Sequence, residues 1–86
     1  MTFLNELLIS PQIANNALWY FSREEGFSGG HASDLFFELC SHADSEYLDR
    51  LAAGFPGEVL AFRMGKSVDG RSELREIAAK PTEVGA

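Results

Sequence analysis

The stretch Ala32-Ser33-Asp34-Leu35-Phe36-Phe37-Glu38-Leu39-Cys40-Ser41-His42-Ala43 decides the fold class. Ala32, Leu35, Phe36, Leu39, Cys40 and Ala43 stand at offsets of 0, 3, 4, 7, 8 and 11. That is the spacing of a helix with one buried face. It predicts that this stripe points inward, and that Phe37, flanked around the helix by Ser33, Asp34 and Ser41, points outward. Asp34 lies near the helix N-terminus, where the helix dipole favours a negative charge.

Helices are also predicted on both sides of this stretch. Downstream, Asp44 or Ser45 can cap a helix with Tyr47, Leu48, Leu51, Ala52 and Phe55 on its inner side, and Gly54 supplies the break. Pro56 reopens a helix with Glu58 in its first turn. Within 59–64, Leu60, Phe62 and Met64 alternate as in a strand, whereas Val59/Phe62 and Leu60/Met64 pair as in a helix. Helix is favoured because no second strand lies nearby to pair with it. Val68-Asp69-Gly70 reads as a turn, and Ser72 leads a last helix with Leu74, Ile77 and Ala78 inward. Upstream, Ser10-Pro11 starts a helix with the stripe Ile13, Ala14, Ala17, Leu18 and Phe21, which Gly26 and the loop Phe27-Ser28-Gly29-Gly30 end. Thr2 can cap a first helix carrying Phe3, Leu4, Leu7 and Leu8. The expected fold is all-α: residues 1–86 form a single compact bundle of about five short helices, with a frayed tail from about residue 81.

Composition sets outer bounds. Hydrophobic residues make up 45% and charged residues 23% of 86 positions, as in a folded domain. One cysteine rules out an internal disulfide. The formal charge of −6 argues against direct nucleic acid binding, which needs clustered Lys and Arg. No apolar run approaches the length of a membrane span, so no membrane partner is expected. Met1-Thr2-Phe3-Leu4 has no basic stretch ahead of its apolar residues, unlike a secretory signal. The lone thiol fits a reducing cytoplasm. Eight of the thirteen acids fall in residues 1–50 against two bases, and the remainder is balanced.

Catalytic chemistry has little to stand on. Gly65-Lys66-Ser67 has the ending of a phosphate-binding loop, but Leu60 occupies the position where the motif needs its first glycine. Cys40 and His42, two apart on a helix, point about 200° from each other, so with His31 they do not make a metal site. Cys40 lies in the apolar stripe, the setting of an inert thiol rather than a nucleophile. Glu24-Glu25 and Asp44/Glu46 lie on predicted surfaces, without an apolar pocket to raise a carboxyl pKa. The chain is expected to be no enzyme and to carry no cofactor or metal.

Aromatics are the surplus: ten in 86 residues. Trp19 has the polar helix neighbours Gln12, Asn15, Asn16 and Arg23, and Phe27 sits in the glycine-rich loop. Either neighbouring helices cover Trp19 and Phe37, or these two and Phe27 form an exposed patch for a partner or a second copy of the chain. On the second reading Trp19, Phe27 and Phe37 bind the partner, and Glu24 and Glu25 form a polar rim.

The segment Ala43-Asp44-Ser45-Glu46-Tyr47-Leu48-Asp49-Arg50-Leu51-Ala52-Ala53-Gly54-Phe55-Pro56-Gly57-Glu58-Val59 resembles one in small accessory proteins of phages that infect actinobacteria. Ala43-Asp44, Arg50, Leu51, Gly54-Phe55-Pro56 and Val59 carry the resemblance, while Tyr47 and Leu48 stand where Asn and Arg are expected. The resemblance implies a phage-encoded accessory protein made in the host cytoplasm. It carries no catalytic group. The expected function is binding and modulation of a host protein. An acidic decoy that imitates DNA for a DNA-binding protein, or a minor virion or assembly component, is the alternative.

Overall fold

The computed structural model describes residues 7–80, which form five helices and no strand. They are α1 (Pro11–Ser22), α2 (His31–His42), α3 (Ser45–Gly54), α4 (Pro56–Gly65) and α5 (Val68–Ala78). The all-α expectation holds. The helix expected from Thr2 and the tail from about residue 81 lie outside the described residues, apart from the helical Leu7 and Leu8.

Three helices start at side-chain caps that satisfy an otherwise unpaired amide. The Ile13 amide donates to Ser10 Oγ at 3.1 Å, the Tyr47 amide to Asp44 Oδ1 at 2.8 Å, and the Gly70 amide to Ser67 Oγ at 2.9 Å. The last of these corrects the sequence reading. α5 begins at Val68 rather than beyond Ser72, because Ser67 caps it. Gly70 fits the first turn because a Cβ there would run into the Met64 carbonyl. α1 likewise ends earlier than expected, at Ser22, with Arg23 in the left-handed region at φ 66°. Segment 59–64 is helical, within α4.

The centre of the domain is α1, α4 and α5 packed on one another. Ala14, Ala17 and Leu18 of α1 meet Val59, Ala61 and Phe62 of α4 and Leu74 and Ile77 of α5, with Ile9 beside them. The small residues let the helices approach closely, and Gly65 lies so near the Phe21 ring that a Cβ would overlap it. Polar ties fix the edges. Asn15 Nδ2 donates to the Pro11 carbonyl at 3.0 Å and to the Ala78 carbonyl at 3.4 Å. Buried Asn16 donates to the Phe27 carbonyl at 2.9 Å, holding the α1–α2 loop down.

α2 and α3 form the outer layer. α2 lies on α1 and α4, α3 lies on α4, and the two make little direct contact with each other. Among the described residues α2 is therefore covered by two helices.

Candidate functional site

α2 packs with a different face inward from the one its apolar spacing predicts. Phe37 is 1% exposed and Cys40 is also buried, whereas Leu35 is 50% and Leu39 40% exposed. At 100° per residue the buried face is turned by about 100° from the centre of the predicted stripe. The reason is aromatic packing. The Phe37 ring stacks on Tyr20 with centroids 5.9 Å apart and meets the Phe36 ring edge-on at 6.0 Å. Tyr20 in turn touches Phe21 and Phe62, so Phe37 completes a cluster of rings between α1, α2 and α4. With Phe37 included, apolar side chains run more than halfway around α2. Two neighbouring helices cannot cover them all, and Leu35 and Leu39 are left outside.

They are not alone there. Tyr47 and Phe55, expected inward, are 43% and 48% exposed. Leu39 and Tyr47 share a groove of about 430 Å³ at the α2–α3 corner, lined also by His42, Ala43, Asp44, Glu46 and Arg50. Phe36 contacts Phe55 with ring centroids 4.9 Å apart. These two, with Ala32, Ser33, Phe37 and Glu58, line a second groove of about 320 Å³. Leu39 of the first groove lies three positions from Phe36 of the second and four from Leu35, within about one turn of both on α2. The result is one connected apolar strip, unlike the scattered single exposed side chains that any surface carries.

The residues singled out from the sequence are not brought together. Phe37 is in the core, which corrects its expected place in a patch. Trp19 is partly covered, and Asn15 and Asn16 beside it are tied to α5 and to the loop. The Arg23 guanidinium lies 5.5 Å from the Trp19 ring centroid, and the buried indole N–H has no hydrogen-bond partner among the described residues. Phe27 is half-exposed in its loop, and no ring packing joins it to Trp19 or Phe37 among the described residues. Glu24 is exposed. Glu25 is no free rim group: it receives two hydrogen bonds from Arg75, at 2.6 and 3.0 Å. That guanidinium holds the Glu25 carboxyl below its ordinary pKa.

The remaining chemical candidates take structural places. Gly65-Lys66-Ser67 ends α4 and caps α5, with Lys66 Nζ 5.3 Å from the Phe62 ring centroid. Burial pushes the Cys40 thiol above its ordinary pKa, with Arg63 opposing the shift. His31 and His42 stand at opposite ends of α2. Among the described residues no three of His, Cys, Asp and Glu come together to hold a metal ion, and no helix is long and apolar enough to cross a membrane.

Comparisons with protein-family models, with curated proteins and with solved structures gave no match.

Spacing alone does not choose the face that α2 buries. The signal was present in the width of the apolar arc, since α2 carries both the stripe and Phe37 beside it. A helix that is apolar over more than one face, with few neighbours, leaves a face over.

Proposed function

We propose that this chain works by binding another protein, as a small accessory factor of the kind its 43–59 segment resembles in actinobacterial phages, with a host protein as partner. The observation that carries this reading is the solvent-facing strip of Leu35, Leu39, Tyr47 and Phe55. Leaving that much connected apolar area in water is unfavourable by about 25 cal/mol per Å². A bound partner recovers it.

The decoy alternative is weaker. Three carboxylates are neutralised within the molecule: Glu25 by Arg75, Glu46 by Arg50 at 3.3 Å and Asp49 by Arg63 at 2.9 Å. A DNA imitation depends on a dense run of uncompensated charge.

The test is affinity capture of host proteins by the tagged wild-type chain, a Leu35→Lys/Leu39→Lys variant and a Val68→Lys control. Val68 is exposed on α5, which packs on α1 and α4. The account expects one or a few proteins to be retained by wild type and control and lost from the double variant. Equal recovery of every captured protein by all three contradicts it.

A further inference from the structure

We infer that the groove between α2 and the start of α4 binds a small molecule with a quaternary ammonium head. Phe36, Phe37 and Phe55 line it together with Ala32, Ser33 and Glu58. Its volume of about 320 Å³ lies at the small end of the range for small-molecule sites. The phenyl rings are mutually inclined. Phe36 meets Phe55 at 51° with centroids 4.9 Å apart, and Phe37 at 77° with centroids 6.0 Å apart. Phe36 and Phe55 are too close for a ligand to enter between them, so it lies alongside the pair. Phe37 is buried, whereas Phe36 is partly covered and Phe55 half-exposed.

The charge of the occupant follows from the lining. The face of a phenyl ring attracts a cation that comes within about 6 Å of the ring centroid. Glu58 is the only charged side chain that lines the groove. The ion pairs of the described residues leave it unneutralised, since Arg50, Arg63 and Arg75 are bonded to Glu46, Asp49 and Glu25. Rings and carboxylate therefore favour the same sign, and an anion is repelled by both. The alkylation follows from a scarcity of acceptors. Among the lining side chains only Ser33 and Glu58 can accept a hydrogen bond. A primary ammonium brings three N–H donors and a guanidinium five, and donors buried without partners are costly. A quaternary ammonium brings none, and its methyl groups bury against the rings. The inference goes beyond the interaction reading, because Leu35, Leu39 and Tyr47 do not line this groove. It is tested with a small probe rather than by protein capture, so either reading can fail alone.

The test titrates choline into the isotopically labelled full chain at constant ionic strength and follows the backbone amide signals by NMR. Parallel titrations use dimethylbutanol, the neutral analogue with carbon in place of nitrogen, ethanolamine, which lacks the methyl groups, and a peptide bearing trimethyl-lysine. Wild type is compared with Glu58→Gln and Phe55→Leu, whose amide signals away from the groove report whether the fold is kept. The inference expects choline to shift amides within 32–37 and 55–58, with a Kd of about 1–10 mM. It expects dimethylbutanol and ethanolamine to bind at least about fivefold more weakly, and either substitution to weaken choline by a similar factor. Equal affinity for dimethylbutanol and choline overturns the cation requirement, and equal affinity for ethanolamine overturns the need for methyl groups. Choline binding that Glu58→Gln leaves unchanged, shifts confined to other helices, or no saturable shift up to about 100 mM choline overturns the site. Binding of the peptide about tenfold tighter than choline overturns the small-molecule occupant and gives the groove to a methylated side chain of a partner.

Discussion

Phe37→Ala and Leu35→Ala, two truncations on one helix, separate the observed packing of α2 from the one its spacing predicts. Phe37 is 1% exposed within the Tyr20–Phe62 ring cluster. Removing a buried phenyl ring loses its transfer energy and leaves a cavity, about 3–5 kcal/mol together. A domain of this length has a total stability of roughly 4–13 kcal/mol at 0.05–0.15 kcal/mol per residue, so the variant loses much of it. Leu35 is half-exposed. Full burial of a leucine is worth about 1.5–3 kcal/mol, and Ala serves a helix as well as Leu does. Leu35→Ala therefore costs under about 1 kcal/mol. With a urea dependence of about 1 kcal/mol per molar, the two unfolding midpoints differ by about 2 M or more. Urea titration followed by circular dichroism measures this directly. Equal losses, or a larger loss for Leu35→Ala, refute the orientation of α2 and with it the exposed strip.

Other perturbations probe separate contacts. Gly65→Ala places a methyl group against the Phe21 ring and is expected to destabilise by about 1–3 kcal/mol; an unchanged thermal midpoint contradicts the close α1–α4 approach. Arg75 lowers the Glu25 pKa, so their pairing adds stability above the unfolded carboxylate value of about 4.3. That increment disappears as pH falls through the lower folded value. Glu25→Gln should flatten this acid limb, and superimposable stability–pH curves for the two proteins would remove the pair from the account. Cys40 is buried and its thiol is pushed up in pKa, so a thiol reagent near neutral pH should react slowly with the native chain and fully after unfolding. Prompt reaction in the folded state contradicts its place in the core.

Most of the fold could be read from local chemistry. Ser10-Pro11, Asp44 and Gly54-Phe55-Pro56 act as the start and stop signals their types suggest, because caps and breaks depend on the nearest few residues. Ser67 caps α5 although Gly70, three residues on, has the chemistry of a turn residue, and the close Met64 carbonyl shows why a glycine stands in this helix. The face α2 buries is a tertiary choice. It was decided by Tyr20 and Phe62 from other helices, which no spacing within residues 31–42 could reveal. Trp19 is partly covered although its helix neighbours are polar: such neighbours imply solvent only when their side chains are not already hydrogen-bonded within the fold, as those of Asn15 and Asn16 are. The candidate surface thus emerged where local pattern and global packing disagree, which is where functional constraint tends to show itself.

The claim that α2 keeps its apolar stripe in water can be measured residue by residue. Adding a neutral paramagnetic agent to the isotopically labelled full chain broadens NMR signals of side chains that solvent reaches. The account predicts strong broadening of the Leu35 and Leu39 methyl signals while the Phe37 ring signals remain sharp. Sharp Leu35 and Leu39 methyls beside a broadened Phe37 ring would contradict it.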